Sequence, residues 1–257
     1  MPDLTNSSPK TLLVLGATSG IAQAYLRHVA SKHPDHKYIL VGRNAEKLDI
    51  VRKDIAGRSL GNVLAITAEI GVPEAIAQTM AKIIEAGGVI DECLVAYGAL
   101  GEQQVLQADL TAANALFITN FVSAGLWLEA VAALFEKQNS GHVVAIASVT
   151  GDRGRQSNYL YGATKAGLER ICEGMAHRFA NAKNIHVTCI KPGLVDTPMT
   201  EQLSPSGPLW AKPETVARDI YRAVQRKRTR IYTPWFWRLI LMIVRALPVS
   251  LFHRTRL

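Results

Sequence analysis

Thr11-Leu12-Leu13-Val14-Leu15-Gly16-Ala17-Thr18-Ser19-Gly20-Ile21-Ala22 is the stretch that decides the fold. Its first five residues read as a strand buried on both faces, the kind found inside a parallel sheet. The glycines that follow permit a tight turn and close approach of backbone to a ligand, and Ala24 to Ala30 carries a helical pattern. A strand, a glycine turn and a helix N-terminus together present free N–H groups to an anion, so Gly16, Thr18, Ser19, Gly20 and Ile21 form a candidate phosphate cradle. Further strand-like runs at 38–41, 63–67, 93–96, 142–147 and 186–190 alternate with helical patterns. That alternation predicts an α/β doubly wound sheet with its binding loops at the C-terminal ends of the strands.

The chain has 257 residues, 48% of them apolar, which suits one compact catalytic domain. No internal repeat, low-complexity segment or interdomain linker interrupts it. Cys93, Cys172 and Cys189 are odd in number and lack metal-ligand spacing, so no metal site is expected and a reducing, cytoplasmic compartment is. Met1 to Lys10 is short and polar, with no apolar signal region.

Tyr161-Gly162-Ala163-Thr164-Lys165 places a phenol and an ammonium one helical turn apart on one face. A phenol with an unperturbed pKa of about 10 exchanges protons poorly at neutral pH unless its anion is stabilised. A lysine four residues on supplies a positive charge for that purpose. Ser148 lies thirteen residues upstream, at the end of a strand, where its hydroxyl can bond a substrate oxygen beside the phenol. Such a site moves a proton onto or off a carbonyl or alcohol. Asn120 lies in an apolar helical stretch, Leu116 to Leu128, and Pro192-Gly193-Leu194-Val195-Asp196-Thr197 forms a loop after the strand at 186–190.

In order and spacing, Gly16-x-x-x-Gly20-x-Ala22, Asn120, Ser148, Tyr161, Lys165 and Pro192-Gly193 resemble the short-chain dehydrogenase/reductases over residues 10–233. The resemblance implies a single-domain Rossmann fold with about seven parallel strands. It implies Tyr161 as general acid/base and Lys165 as the residue that lowers its pKa and holds the nicotinamide ribose. Ser148 would orient the substrate carbonyl, and Asn120 would hold a water of the proton relay. Cofactor contacts would come from Gly16, Thr18, Ser19, Gly20, Ile21, Arg43, Glu69, Tyr161, Lys165, Pro192, Gly193, Val195 and Thr197, with Thr197 reaching the carboxamide. Three positions depart from the family pattern. Ala22 replaces a third glycine, Val95-Ala96-Tyr97-Gly98 replaces Asn-Asn-Ala-Gly, and Glu69 stands where an Asp is usual near the adenine.

Tyr38-Ile39-Leu40-Val41 is the second strand, and Gly42-Arg43-Asn44 follows it. An NAD site puts a carboxylate here for the ribose hydroxyls. A glycine and a guanidinium suit a 2′-phosphate instead, so NADPH is the expected cofactor.

The net charge of +8 sits entirely in the tail. From Arg222 onward there are eight Arg, one Lys and no acid, leaving 20 basic against 21 acidic residues before it. Arg226-Lys227-Arg228-Thr229-Arg230 precedes an apolar segment, Trp235 to Leu247, bounded by Pro234 and Pro248. It is too short for the ~20 residues of a spanning helix. Arg238 and Arg245 share one helical face, as in a helix lying in the bilayer interface. Residues 1–233 thus read as the catalytic domain and 234–257 as an extra C-terminal amphipathic helix. The expected partner of residues 222–257 is an anionic membrane surface on the cytoplasmic side, with the helix directed away from the sheet. The alternative is burial in a homodimer or homotetramer, and a nucleic-acid partner is not expected.

Ala96-Tyr97-Gly98-Ala99-Leu100-Gly101, Tyr161 to Leu168, Pro234-Trp235, Leu247-Pro248 and Leu251-Phe252 resemble one subgroup, the decaprenylphosphoryl-2-keto-ribose reductases. The resemblance implies reduction of a lipid-linked keto-sugar or another amphipathic ketone. Two alternatives stay open: a soluble 3-oxoacyl-thioester reductase acting on carrier-bound chains, and a non-catalytic NADPH-sensing module.

Overall fold

The computed structural model describes residues 8–203 and 206–255. The first half runs β1 (Thr11–Leu15), α1 (Gly20–Lys32), β2 (Lys37–Gly42), α2 (Ala45–Ala56), β3 (Val63–Thr67), α3 (Pro73–Gly87), β4 (Glu92–Val95), α4 (Gln103–Ala108) and α5 (Leu110–Phe117). A π-turn over Ile118–Val122 leads into α6 (Ser123–Gln138), β5 (Gly141–Ile146), α7 (Tyr159–Arg178) and β6 (Ile185–Pro192). Short strands β7 (Leu194–Val195) and β8 (Trp210–Ala211) pair with each other, followed by α8 (Pro213–Gln225), β9 (Arg230–Thr233), α9 (Trp237–Ala246) and α10 (Val249–Phe252). The main sheet is parallel throughout, in the order β3-β2-β1-β4-β5-β6-β9.

Alternation along the strands divides the core into two layers. Leu13 and Leu15 of β1 face a cluster with Ile83 of α3, Trp127 and Phe135 of α6 and Leu168 of α7. Leu12 and Val14 face the opposite cluster, with Leu26 of α1, Leu48 of α2 and Ile220 of α8. Each aliphatic side chain buried this way contributes roughly 1.5–3 kcal/mol. Strand order reverses between β1 and β4, so the loops leaving their C-terminal ends splay apart and open a crevice. The helical run Leu110–Gln138 is long and apolar enough to cross a membrane, but half of its most apolar window is buried, and α6 is a core helix.

The seventh strand was hidden in the basic cluster. Arg230–Thr233 pairs with β6, from Cys189 opposite Arg230 to Pro192 opposite Thr233, so Arg230 does not belong to a free tail. Its guanidinium donates to Glu169 Oε1 at 3.2 Å. A four-residue strand that opens on an exposed arginine has no apolar alternation to mark it, and its register comes from β6.

The tail helix does not point away from the sheet. Trp237 and Leu241 of α9 are buried against Val149, and Phe236, Ile240 and Val244 pack around them with Leu194 and Tyr232. Its opposite side stays exposed, with Met242 61% and Ile243 63% accessible. Four apolar residues on the inner stripe of a ten-residue helix were enough to hold it down.

At the far end of the sheet from the crevice, Glu92 is buried and accepts a 2.5 Å hydrogen bond from Tyr25 Oη. Burial pushes its carboxyl up to about 7, against the pull of the Tyr25 hydrogen bond. The folded state therefore binds more protons than the unfolded chain between an ordinary carboxylate pKa of about 4.3 and about 7, and stability falls as pH rises through that window. Glu92→Gln keeps an acceptor for Tyr25 and removes the ionisation. Its stability relative to wild type, followed by urea unfolding, should rise by about 2 kcal/mol between pH 5 and pH 8. A difference independent of pH would refute the assignment.

Candidate active site

The loop from β1 to α1 builds one wall of the crevice. Gly16 has φ +82°, and a Cβ there would lie 2.5 Å from Tyr97 Cβ and 2.8 Å from Tyr97 N, so only glycine fits. Ser19 is the N-cap of α1 in an extended conformation, and its side chain makes no capping bond. The first N–H groups of α1 are thus left for an anion. Gly20 packs against Thr197, which brings the loop after β6 over the cradle. Arg43 is exposed at the rim, directly after the buried end of β2.

The crevice, about 310 Å³, brings together Gly16, Thr18, Ser19, Gly20, Ile21 and Arg43 on the cradle side. It also gathers Ser148, Tyr161, Lys165, Pro192, Gly193, Val195 and Thr197. Two expected residues do not line it. Glu69 is exposed and Ile70 takes its place at the wall, while Asn120 lies behind it, 1% accessible.

Tyr161 and Lys165 lie on the first turns of α7, both buried. Burial pushes the Tyr161 phenol up to about 12, a rise that the Ser148 hydroxyl beside it partly offsets. Lys165 Nζ lies 5.8 Å from the phenol ring centroid and donates to Ile146 O at 2.9 Å. Burial lowers its pKa to about 8, with the nearby Cys189 and Cys172 sulfurs acting the other way. Desolvation is therefore the largest influence on the phenol's proton affinity. Ser148 caps the short turn Val149–Asp152, accepting from Thr150 N at 3.2 Å.

Asn120 acts first on backbone. Its Nδ2 donates to Ala99 O and its Oδ1 accepts from Ala99 N, each at 2.7 Å, and Nδ2 also reaches Thr164 Oγ1 at 3.3 Å. A Cβ on Gly98 would stand 3.1 Å from Asn120 Oδ1 and 3.5 Å from Lys165 Nζ, so glycine lets the loop close over both. The π-turn at Ile118–Val122 rotates Asn120 inward. Tyr97, in place of the usual alanine, bonds Ser123 Oγ at 3.0 Å and so ties the end of β4 to α6.

Two contributors were not marked by the sequence. Thr200 donates from Oγ1 to Val195 O at 2.5 Å and accepts from Thr197 N at 3.2 Å, which folds the start of the covering loop. Ile146 O is the acceptor that fixes Lys165. A threonine in a polar loop and a backbone carbonyl leave no pattern to read. Among the described residues no cluster of ligating side chains could hold a metal.

Residues 10–207 match the family model described as short chain dehydrogenase, and the chain belongs to that family. It is 29% identical over 254 residues to an uncharacterized oxidoreductase of Mycobacterium tuberculosis, covering 98% of each chain. An uncharacterized oxidoreductase of Staphylococcus epidermidis is 30% identical, over 75% of this chain and 80% of its own. Among solved structures, the short-chain dehydrogenase from Sphingobium yanoikuyae in complex with NADPH superposes with a TM-score of 0.79 at 21% identity, covering 94% of this chain and 97% of that one. The protein is an oxidoreductase, and its crevice fits a nicotinamide cofactor. The side-chain-free Gly16 turn admits the backbone to a diphosphate, and the uncapped start of α1 offers it N–H donors.

Asn120→Ala removes both bonds to Ala99 and leaves the loop's polar groups without their partner. The variant should lose about 2–3 kcal/mol of stability. Amide hydrogen exchange at Ala99 should accelerate well beyond that at Val144 in the core, and an unchanged Ala99 rate would show that the loop is held by other contacts.

Proposed function

We propose that the protein is an NADPH-dependent reductase that converts a ketone to an alcohol, acting on a lipid-linked keto-sugar or another amphipathic ketone. The observation that carries the chemistry is the joint placement of Ser148, Tyr161 and Lys165 on the floor of the cofactor crevice. Gly16, Thr18, Ser19, Gly20 and Ile21 would hold the diphosphate, with Val195 and Thr197 at the nicotinamide end. Arg43, following Gly42 where a carboxylate would serve NAD, favours a 2′-phosphate.

When bound, the reduced nicotinamide supplies a hydride to the carbonyl carbon. Ser148 Oγ holds the carbonyl oxygen, and Tyr161 Oη gives it a proton as charge develops there. The phenolate left behind is reprotonated from solvent by way of Lys165, whose pKa near 8 lets it pass a proton at neutral pH. Because the Asn120 side chain is committed to Ala99 and Thr164, any relay water falls to its main chain.

Two features support an amphipathic substrate. The resemblance of Val95 to Gly101 and of the tail to the decaprenylphosphoryl-2-keto-ribose reductases is one. The other is the outer side of α9 and α10, where Trp235, Leu239, Met242, Ile243, Val249 and Leu251 are exposed among Arg238, Arg245 and Arg254. Apolar side chains amid arginines, with no acid after Asp219, complement an anionic bilayer surface.

NADPH oxidation by the purified protein in micelles, supplied with a polyprenyl-phosphate keto-pentose or a short 3-oxoacyl thioester, tests the substrate. Turnover of the sugar is expected, and turnover of the thioester alone would move the assignment to acyl reduction. Tyr161→Phe should cut turnover by roughly three orders of magnitude and leave NADPH affinity within about twofold, since only the proton donor is lost. In flotation assays, wild type should rise with phosphatidylglycerol vesicles and stay down with phosphatidylcholine. A Met242→Glu/Ile243→Glu double variant should stay down with both while reducing a water-soluble ketone normally. Flotation of that variant would show that this face does not meet lipid.

A further inference from the structure

α9 touches both catalytic loops. At its first turn, the Trp237 indole lies directly on the backbone of Gly193: a Cβ there would fall 1.9 Å from Trp237 Nε1 and 2.1 Å from Cε2. Leu194, the next residue, packs in the same apolar cluster, and Gly193 N donates to Thr233 O at 3.0 Å, just before the tail begins. The nicotinamide-type loop is therefore pressed between β9 and the indole. At its last turn, α9 meets the loop that follows Ser148. Arg153 donates to Val244 O and to Leu247 O, the latter at 2.8 Å, and its guanidinium lies 3.8 Å over the Phe252 ring. A guanidinium on the last carbonyls of a helix satisfies acceptors that have no partner within the helix. Val149, adjacent to Ser148, forms the bed between the two ends.

We propose that Trp237 and Arg153 are positioning residues, and that they make α9 a brace setting the distance between the nicotinamide loop and Ser148. Neither reaches into the crevice, and both act through residues that do. The inference rests on the cofactor reading above, and it gives the tail a role in the active site separate from any surface its outer face meets. Hydride transfer needs donor and acceptor in near-attack contact, and a shift of about 1 Å between loops is costly. Trp237 Nε1 is buried without a hydrogen-bond partner, so the brace uses the area of the ring rather than its N–H.

Calorimetric titration with NADPH and with 2′,5′-ADP, well below the unfolding temperature, separates positioning from general damage. The fragment fills the cradle and the Arg43 end but never meets Gly193. Trp237→Ala should weaken NADPH about tenfold with 2′,5′-ADP unchanged, and Arg153→Ala should act in the same direction, by about threefold. Trp237→Phe should restore NADPH affinity to within about twofold of wild type, because the ring's area is kept. Equal weakening of both ligands by Trp237→Ala, or no weakening of NADPH, would overturn the brace. A Phe variant as weak as the Ala variant would also overturn it, by giving the idle N–H a ligand-binding role. If wild type takes NADH and not NADPH, the phosphate reading fails, and the same comparison with NADH and ADP decides the brace.

Discussion

Lys191 is an ammonium with 1% of its surface accessible, at the end of β6 and immediately before Pro192-Gly193. Two carboxylates hold it: Asp152 from the turn that follows Ser148, and Glu169 Oε2 from α7 at 2.5 Å. Tyr232 Oη donates to Asp152 at 2.9 Å, and Arg230 and the more exposed Arg170 both pair with Glu169, so no carboxylate of the cluster lacks a cation. Burial works to discharge the lysine, but the hydrogen bonds and charges of Asp152 and Glu169 outweigh it and raise its pKa. Each ion buried in this way costs several kcal/mol of desolvation, so the cluster holds only while all its members are in place.

That condition is what makes the cluster useful. Its members sit on four elements: the Ser148 turn, α7 with Tyr161 and Lys165, β6 with the Pro192-Gly193 loop, and β9 with the tail. Removing one partner would leave an uncompensated buried charge, at a cost of about 3–5 kcal/mol. The four elements therefore cannot move apart by small steps. Hydrogen bonds to fixed charges also have narrow geometry, and they place Ser148 and Tyr161 where an apolar contact would allow sliding. Glu169 lies one turn beyond Lys165 on α7, so the cluster fixes the rotation of that helix from behind.

The parts of this arrangement legible in the sequence are those with local pattern. β1, the Gly16 turn and α1 form one continuous signal, and Tyr161 and Lys165 announce themselves by helical spacing. Ser148 and Pro192-Gly193 follow because each ends a strand with its own apolar run. Lys191, Asp152, Glu169 and Tyr232 carry no such signal, since they are 17 to 80 positions apart in sequence and each alone is an ordinary polar residue. β9 was hidden for the same reason: its register is set by β6 and its first residue is paired with Glu169, so Arg230 read as one more charge in a basic run. Asn120 was found but its grip on Ala99 was not, because a helix period shows which face a residue occupies and not which backbone it will grasp.

The departures at Val95 to Gly98 show how a local change is absorbed. The usual asparagines at the positions of Val95 and Ala96 would offer short amides beside the cofactor crevice. Tyr97 instead carries its hydroxyl to Ser123 and fills space against the core, and burial raises its pKa, so it stays neutral. Its backbone lies against Gly16 at distances no side chain would permit, so the cradle turn and the end of β4 are set against each other by contact. The polar anchoring falls to Ala99, whose N–H and C=O are both taken by Asn120. With apolar Val95 and Ala96 in the asparagine positions, Asn120 holds the loop in place over Lys165.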